Sequence, residues 1–222
     1  MCFSAGASFT AGVLLTVVGT KTIQKVHKPS QAVFAGLPLF FALQQFTEGV
    51  LWLAIGRAGF GTLQAISTFV FLTLAQIIWP LVVPLSVLLI EKDRTRKNIL
   101  YALLAIGALI ALINLYIMIF CNSRAEVSGM HIAYISDFNI QLGPIAVAAY
   151  LSVTIAPLFI SSIRRMHLLG YIMGVSFLVS YLFYTQCLTS VWCFFAALMS
   201  FMVYYIVRDE HTAFHLAETP AP

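Results

Sequence analysis

The sequence predicts an all-α, polytopic membrane protein of seven transmembrane helices, with its N-terminus outside and its C-terminus in the cytoplasm. Three observations predict it. Of the 222 residues, 61% are hydrophobic and only 9% charged, against about 25% charged in an ordinary soluble domain. Seven apolar stretches approach the length needed to cross a hydrocarbon core of about 30 Å. The basic residues sit in the connections between those stretches, and their density alternates from one connection to the next. A soluble fold of this length could not cover so much apolar surface with a polar skin, whereas lipid removes the conflict.

The stretches run from Ser4 to Thr20, Gln31 to Ile55, Thr62 to Ile90, Asn98 to Phe120, Gly143 to Ile163, Leu168 to Tyr184 and Thr189 to Val207. The first is short and rich in Gly, Ala, Ser and Thr. It lacks the basic n-region of a cleaved signal peptide, so it is expected to remain part of the body. The third is long and carries Pro80 and Pro84, which predict a kink near its middle. Residues 1–208 read as one transmembrane domain, and 209–222 as a short, frayed cytoplasmic tail.

Orientation follows from charge. One set of connections holds Lys21, Lys25 and Lys28, then Lys92, Arg94, Arg96 and Lys97, then Arg164 and Arg165, then Arg208. That is ten of the twelve basic residues, the other set keeping only Arg57 and Arg124. The positive-inside rule assigns the rich set to the cytoplasm, in the plasma (inner) membrane of a bacterium. The net charge of +4 is dispersed among these connections and is no nucleic-acid footprint; the expected partner is the bilayer. The longest outer connection, from Cys121 to about Ile140, contains His131-Ile132-Ala133-Tyr134-Ile135-Ser136. That segment reads either as a plain loop or as a short strand capping the bundle.

An ionisable group inside a membrane helix marks function by default. Glu48 is such a group, in the outer third of the second helix. Gln44, Glu48 and Trp52 follow at i, i+4, i+8 and share one face, which should turn into the bundle. Glu48 is therefore a candidate to bind a proton, a cation or an amine; the competing reading is a neutral carboxyl bonded to a Gln or a backbone carbonyl as helix glue. The third helix offers Gln76 and Trp79 beside Pro80, the sixth a stripe of Ser176, Ser180 and Tyr184, and the seventh Trp192 and Cys193. Gln44, Glu48, Trp52, Gln76, Trp79, Ser180, Tyr184, Trp192 and Cys193 together are expected to line an outward-facing polar cavity. Gly170 and Gly174 form a small-xxx-small pair, expected to mark close packing within the chain.

The predicted topology puts Cys2, Cys121, Cys187 and Cys193 in the outer half. An oxidising outer compartment permits one or two disulfides, with three possible connectivities. A soft-metal site involving thiolates with Met130 or His131 nearby, or plain buried thiols, are the alternatives. At least two sulfurs are expected to approach each other, Cys2 being the best placed to adjust. His211 and His215 have a spacing that can seat zinc, but no third ligand is evident and they read as part of a solvated tail. Nucleophile elbow, phosphate loop, dinucleotide fingerprint and His-Glu-x-x-His motifs are missing. The pattern leaves the cofactor, any metal and the oligomeric state open.

Met1-Cys2-Phe3-Ser4-Ala5, the Gln44/Gln45…Glu48-Gly49…Trp52 run and Ser190-Val191-Trp192-Cys193-Phe194-Phe195-Ala196-Ala197 carry a resemblance. The chain resembles a family of small bacterial seven-helix membrane proteins whose members begin Met-Cys-Phe-Ser and for which no activity is established. The resemblance implies that Cys2, Ser4, Glu48, Trp52, Trp192 and Cys193 gather on the outer side. Seven-helix hydrolases of the alkaline ceramidase type share the orientation and a late His-x-x-x-His pair. Their zinc ligands lie inside the membrane, and here no helix carries a histidine in its core. The expected function is to bind, sense or pass a small solute, ion or proton. A membrane-embedded enzyme (a metal-dependent hydrolase or a thiol redox protein) and a structural partner subunit are the alternatives.

Overall fold

The computed structural model describes residues 4–137, 143–184 and 187–218, from 210 onward as backbone only. Helix α1 (Ala5–Ile23) begins at Ser4, whose hydroxyl accepts the Ala7 N–H at 3.3 Å, the usual N-cap device. It lies along α2 (Ala32–Ala54). A Cβ at Gly12 would press on the Phe46 ring, one at Gly19 on Leu39, and one at Gly49 on the Phe9 ring. These pairs run in opposite order along the two helices, so α1 and α2 are antiparallel, and glycine lets their backbones close up.

The expected kink in the next span takes a specific form. Helix α3 (Gly61–Leu72) passes through a π-helical turn, Thr73–Ile78, into α4 (Trp79–Ile90), as one rod from Gly61 to Ile90. Pro80 has no N–H to give to the carbonyl of Gln76 or of Ala75, four and five residues back. The wider turn lets the Trp79 N–H reach the Leu74 carbonyl, and the two freed carbonyls find side-chain donors. Tyr150 O–H donates to Ala75 at 2.5 Å and Asn114 Nδ2 to Gln76 at 3.0 Å, as an apolar surrounding requires. Pro84 frees the Pro80 carbonyl in the same way, and that oxygen faces Gly107 of α5 (Arg94–Phe120), where a Cβ would collide with it.

Helix α5 is capped by Asp93, which accepts the Arg96 N–H at 2.8 Å. It turns Leu109, Leu112, Tyr116 and Phe120 outward, each more than half exposed; so broad an apolar face suits lipid. Beyond it the chain forms a hairpin of β1 (Ser123–Ser128) and β2 (His131–Ser136), antiparallel with Ser123 opposite Ser136 and Ser128 opposite His131. Of the two readings of this stretch, the strand is the one found. Gly129, at φ +62°, takes the first turn position, where a positive φ favours glycine.

Helix α6 (Gly143–Thr154) breaks at Ile155 and resumes as α7 (Ala156–Ile160), because Pro157 cannot donate to Val153. Then follow α8 (Arg164–Phe183), α9 (Leu188–Leu198) and α10 (Ser200–Glu218). The tail expected to fray continues α10 to Glu218, since Ala, His, Leu and Glu are compatible with helix. Among the described residues, five helices are long and apolar enough to cross a membrane: Ala5–Ile23, Gly61–Ile90, Arg94–Phe120, Arg164–Phe183 and Leu188–Asp209.

Two large apolar clusters fill most of the bundle, with a third, smaller one of Ala133, Cys187 and Val191. The larger joins Phe34, Phe41, Trp79, Leu100, Met166 and Ile206 toward one end. The smaller packs Leu51, Phe71, Met118 and Cys193 beneath Ala125 and Ile132 of the hairpin. Of the glycine pair in α8, only Gly170 makes a close approach, to Phe159 and Leu158; Gly174 faces open space.

Candidate functional site

Helix α2 carries the polar centre. Its 3.6-residue period puts Gln44 and Glu48 on one face, and Gln45 stands beside them; all three side chains have 0% exposure. Gln44 Oε1 accepts the Trp79 Nε1–H at 3.0 Å, and the Trp79 ring stacks on Phe41 at 4.0 Å. Ser190 Oγ donates to Glu48 Oε1 at 2.5 Å, which ties α2 to α9 across 142 residues of sequence. Both polar atoms of the Gln45 side chain are buried without a hydrogen-bond partner among the described residues. That is unusual for a native interior.

Above this centre lies the hairpin. Ile132 and Ala125 are fully buried beneath it, and Tyr134 stacks on Phe71 at 4.4 Å with an interplanar angle of 6°. Gln64 Nε2 donates to the Ala125 carbonyl at 2.8 Å, fastening the strand to α3. Glu48 itself is fully buried.

Two cavities flank the centre. A small one of about 60 Å³ is walled by Phe41, Trp79, Tyr150, Thr154, Trp192 and Cys193, and has room for a few water molecules. A larger one of about 390 Å³ is lined by Gln76, Asn114, Tyr150, Thr189, Trp192 and Cys193 with apolar neighbours from α5 and α6. Tyr150 and Trp192, packed edge to face at 5.8 Å, belong to both walls and separate the two spaces.

The expected residues therefore divide. Gln44 and Glu48 share a face of α2 but are bonded separately, Gln44 to Trp79 and Glu48 to Ser190. Trp52 joins the apolar cluster under the hairpin, its Nε1 buried without a hydrogen-bond partner among the described residues. Gln76, Trp192 and Cys193 line the side cavity. Ser180 is buried, but its hydroxyl donates to the Ser176 carbonyl of its own helix at 2.8 Å. Tyr184 stands at the end of α8, with its ring edge on His131 at 4.9 Å. Four contributors lie outside the expected set: Gln45, Asn114, Tyr150 and Ser190. Ser190 was readable, since it stands three residues before Cys193 on the same helical face. Asn114 was readable too, as an amide inside an apolar span.

Cys121, Cys187 and Cys193 are free thiols, so no disulfide joins two of these three. Cys2 lies outside the described residues, as do the side chains of His211 and His215. Cys187 packs with Ala133 and Val191; burial pushes its thiol up, against a hydrogen bond with Ser128 that acts the other way. Among the described residues, no three His, Cys, Asp or Glu side chains gather into a metal-binding set.

Buried amides and a buried carboxyl among helices long and apolar enough to span a membrane define the class: an all-helical protein whose composition is consistent with a membrane protein. The chain matches the model of the family of unknown function DUF6629 over residues 1–218 and belongs to that family. No curated protein and no solved structure matches it.

Proposed function

We propose that the chain is a seven-span membrane protein that binds, senses or passes a proton or small solute at a centre built on Glu48. The observation that carries this reading is Gln45: an amide with no hydrogen-bond partner among the described residues, fully buried one turn from Glu48. Polar groups sealed in an apolar span are expensive unless something joins them, and a proton-linked water or a small polar guest would do so. The side cavity of about 390 Å³ offers the approach, and the Tyr150–Trp192 pair would be the gate.

Seven crossings are supported by packing. Helix α2 runs antiparallel to α1, and both glycine notches and burial extend along its length, so it returns across the same slab. Segments α6 and α7 run from the level of Tyr150, bonded to Ala75 in mid-rod, to Ile160, whose carbonyl accepts Arg96 Nη1–H at 2.7 Å beside the end of α4. With the charge asymmetry this supports cytoplasmic Lys25, Arg94 and Arg164 connections in an inner membrane, with the hairpin external. Reporter fusions test the orientation; a cytoplasmic signal from the hairpin overturns it.

The test of function is Glu48→Gln in sealed proteoliposomes, with proton and monovalent-cation flux followed by dye and titration of the carboxyl by infrared difference spectroscopy. Glutamine can still accept from Ser190, so the fold is expected to hold. Loss of flux or of a titrating carboxyl band, in a variant that melts like wild type, supports the reading. A wild-type protein with neither signal refutes it and leaves Glu48 as a tie between α2 and α9.

A further inference from the structure

We propose that the end of the bundle where α4 stops and α8 begins holds a binding site for a phosphate-bearing anionic group, as carried by an acidic phospholipid headgroup. A cavity of about 620 Å³ opens there, lined by Lys28, Ser30, Lys92, Ser162, Arg164 and Arg165, with Asp209 on one wall. The cations come from three connections far apart in sequence: α1 to α2, α4 to α5, and α7 to α8. Among the described lining residues four positive side chains face one carboxylate, and Arg165 is already paired with Asp209. Lys92 and Arg164, on either side of the junction of α4 and α8, supply the positive charge at this end of the cavity.

The frame around the cavity is fixed. Glu91 is 3% exposed. Its Oε2 accepts the Ser162 N–H at 2.7 Å, and its Oε1 accepts the Ser162 hydroxyl at 3.0 Å and the Lys92 N–H at 2.8 Å. Glu91 is thus committed to the frame, and its charge together with that of Asp209 still leaves the described lining cations in excess. Helix α8 starts at Arg164 with no capping side chain and no acidic residue in its first turn, so an anion there would complement the positive end of the helix. Ile90, Ile163 and Ile206 also line the space. They have no use for a free inorganic ion, but they suit the glycerol and first methylenes of a lipid whose phosphate meets the cations. A volume of this size matches a headgroup rather than a single ion. Basic pockets between spans at the membrane boundary have this chemistry.

The inference rests on the helices of membrane length and not on the role of Glu48. The experiment uses the full chain in neutral detergent, with thermal unfolding followed as phosphatidylglycerol, phosphatidylcholine or inorganic phosphate is added. The lining pair Lys92→Gln/Arg164→Gln is compared with the non-lining pair Arg94→Gln/Lys97→Gln, and the single Lys92→Gln is kept in case the double variant does not fold. Phosphatidylglycerol is expected to stabilise wild type well beyond phosphatidylcholine. At roughly fivefold per basic side chain, the lining pair should raise the half-saturating concentration by roughly 25-fold, Lys92→Gln alone by roughly fivefold, and the non-lining pair by little. Stabilisation by inorganic phosphate alone, lost in the same lining variants, would assign the site to a free anion. Equal response of wild type to both lipids with none to phosphate, or equal weakening by the two pairs, overturns the proposal. Glu48→Gln should leave the lipid response unchanged, so this test and that of the Glu48 centre fail separately.

Discussion

Replacing Gly107 by alanine tests the account of the proline-rich rod most directly. Pro84 leaves the Pro80 carbonyl without its helical donor, and that oxygen is received by the bare Cα of Gly107 on α5. An alanine Cβ built there falls inside the contact distance of a backbone oxygen, which cannot swing aside as a side-chain tip would. Either the two helices separate or the rod bends, and overpacking of this kind costs about 1–3 kcal/mol. Losing the Cα–H···O contact adds roughly 0.5 kcal/mol, while alanine returns about 0.5–1 kcal/mol of helix propensity. The net expectation is destabilisation of about 0.5–3 kcal/mol. At about 2–4 °C per kcal/mol for a chain of this size, the melting temperature should fall by roughly 1–12 °C. Gly174→Ala is the matched control: the same chemistry in helix α8, with nothing within 4 Å of the new methyl, and an expected gain of about 0.5–1 kcal/mol. Reversible unfolding in mixed micelles compares the two. If Gly107→Ala is as stable as wild type, or Gly174→Ala loses as much, glycine at 107 is not there for the Pro80 oxygen.

Further outcomes are expected. Trp79→Phe keeps the stack on Phe41 but leaves Gln44 Oε1 without its indole donor, and should cost about 1–3 kcal/mol in the same unfolding assay. Glu91→Ala removes a buried carboxylate that joins α4 to the α7–α8 connection, and should cost about 2–4 kcal/mol. The pH dependence of that clasp has a definite sign. Burial opposes the charge on Glu91, but the N–H groups of Asp93, Ser162 and Lys92 and the Ser162 hydroxyl outweigh it and hold the carboxyl below its usual range. Its stabilisation is complete above the ordinary Glu value of about 4.3 and is lost as pH falls from there through the lowered native value. Melting curves of wild type and Glu91→Gln should therefore converge in acid; a constant gap would contradict the assignment. In a Cys2→Ser background, maleimide should label half-buried Cys121 in the native protein and reach buried Cys187 and Cys193 only after unfolding.

Hydropathy was enough for the long helices because burial in lipid depends on composition alone. The face of α2 was legible for the same kind of reason: Gln44 and Glu48 are one turn apart, and one turn is a property of the local chain. Partners were not legible. Trp79 meets Gln44 across 35 residues and Ser190 meets Glu48 across 142, and no local spacing encodes such a pairing. Pro80 announced a disturbance but not its form, since whether a freed carbonyl bends the helix or widens it depends on Tyr150 and Asn114 arriving from other helices. The hairpin was ambiguous because six residues of mixed polarity around His131 fit strand and loop equally well until Gly129 supplies the turn. Ser180 misled: a serine on an inward face can spend its hydroxyl on its own backbone.

The glycine notches between α1 and α2 bear on how the chain enters the bilayer. Helix α1 is only marginally apolar, and it packs chiefly on α2. Helix α2 in turn carries two glutamines and a glutamate that lipid would reject. Neither makes a good solitary insertion substrate. Docked through Gly12, Gly19 and Gly49, they can enter together as a helical hairpin whose polar groups are turned away from lipid before α9 brings Ser190. A bulky residue at Gly12 would then act earliest at the translocon, reducing the yield of inserted protein before any folded molecule exists to be measured.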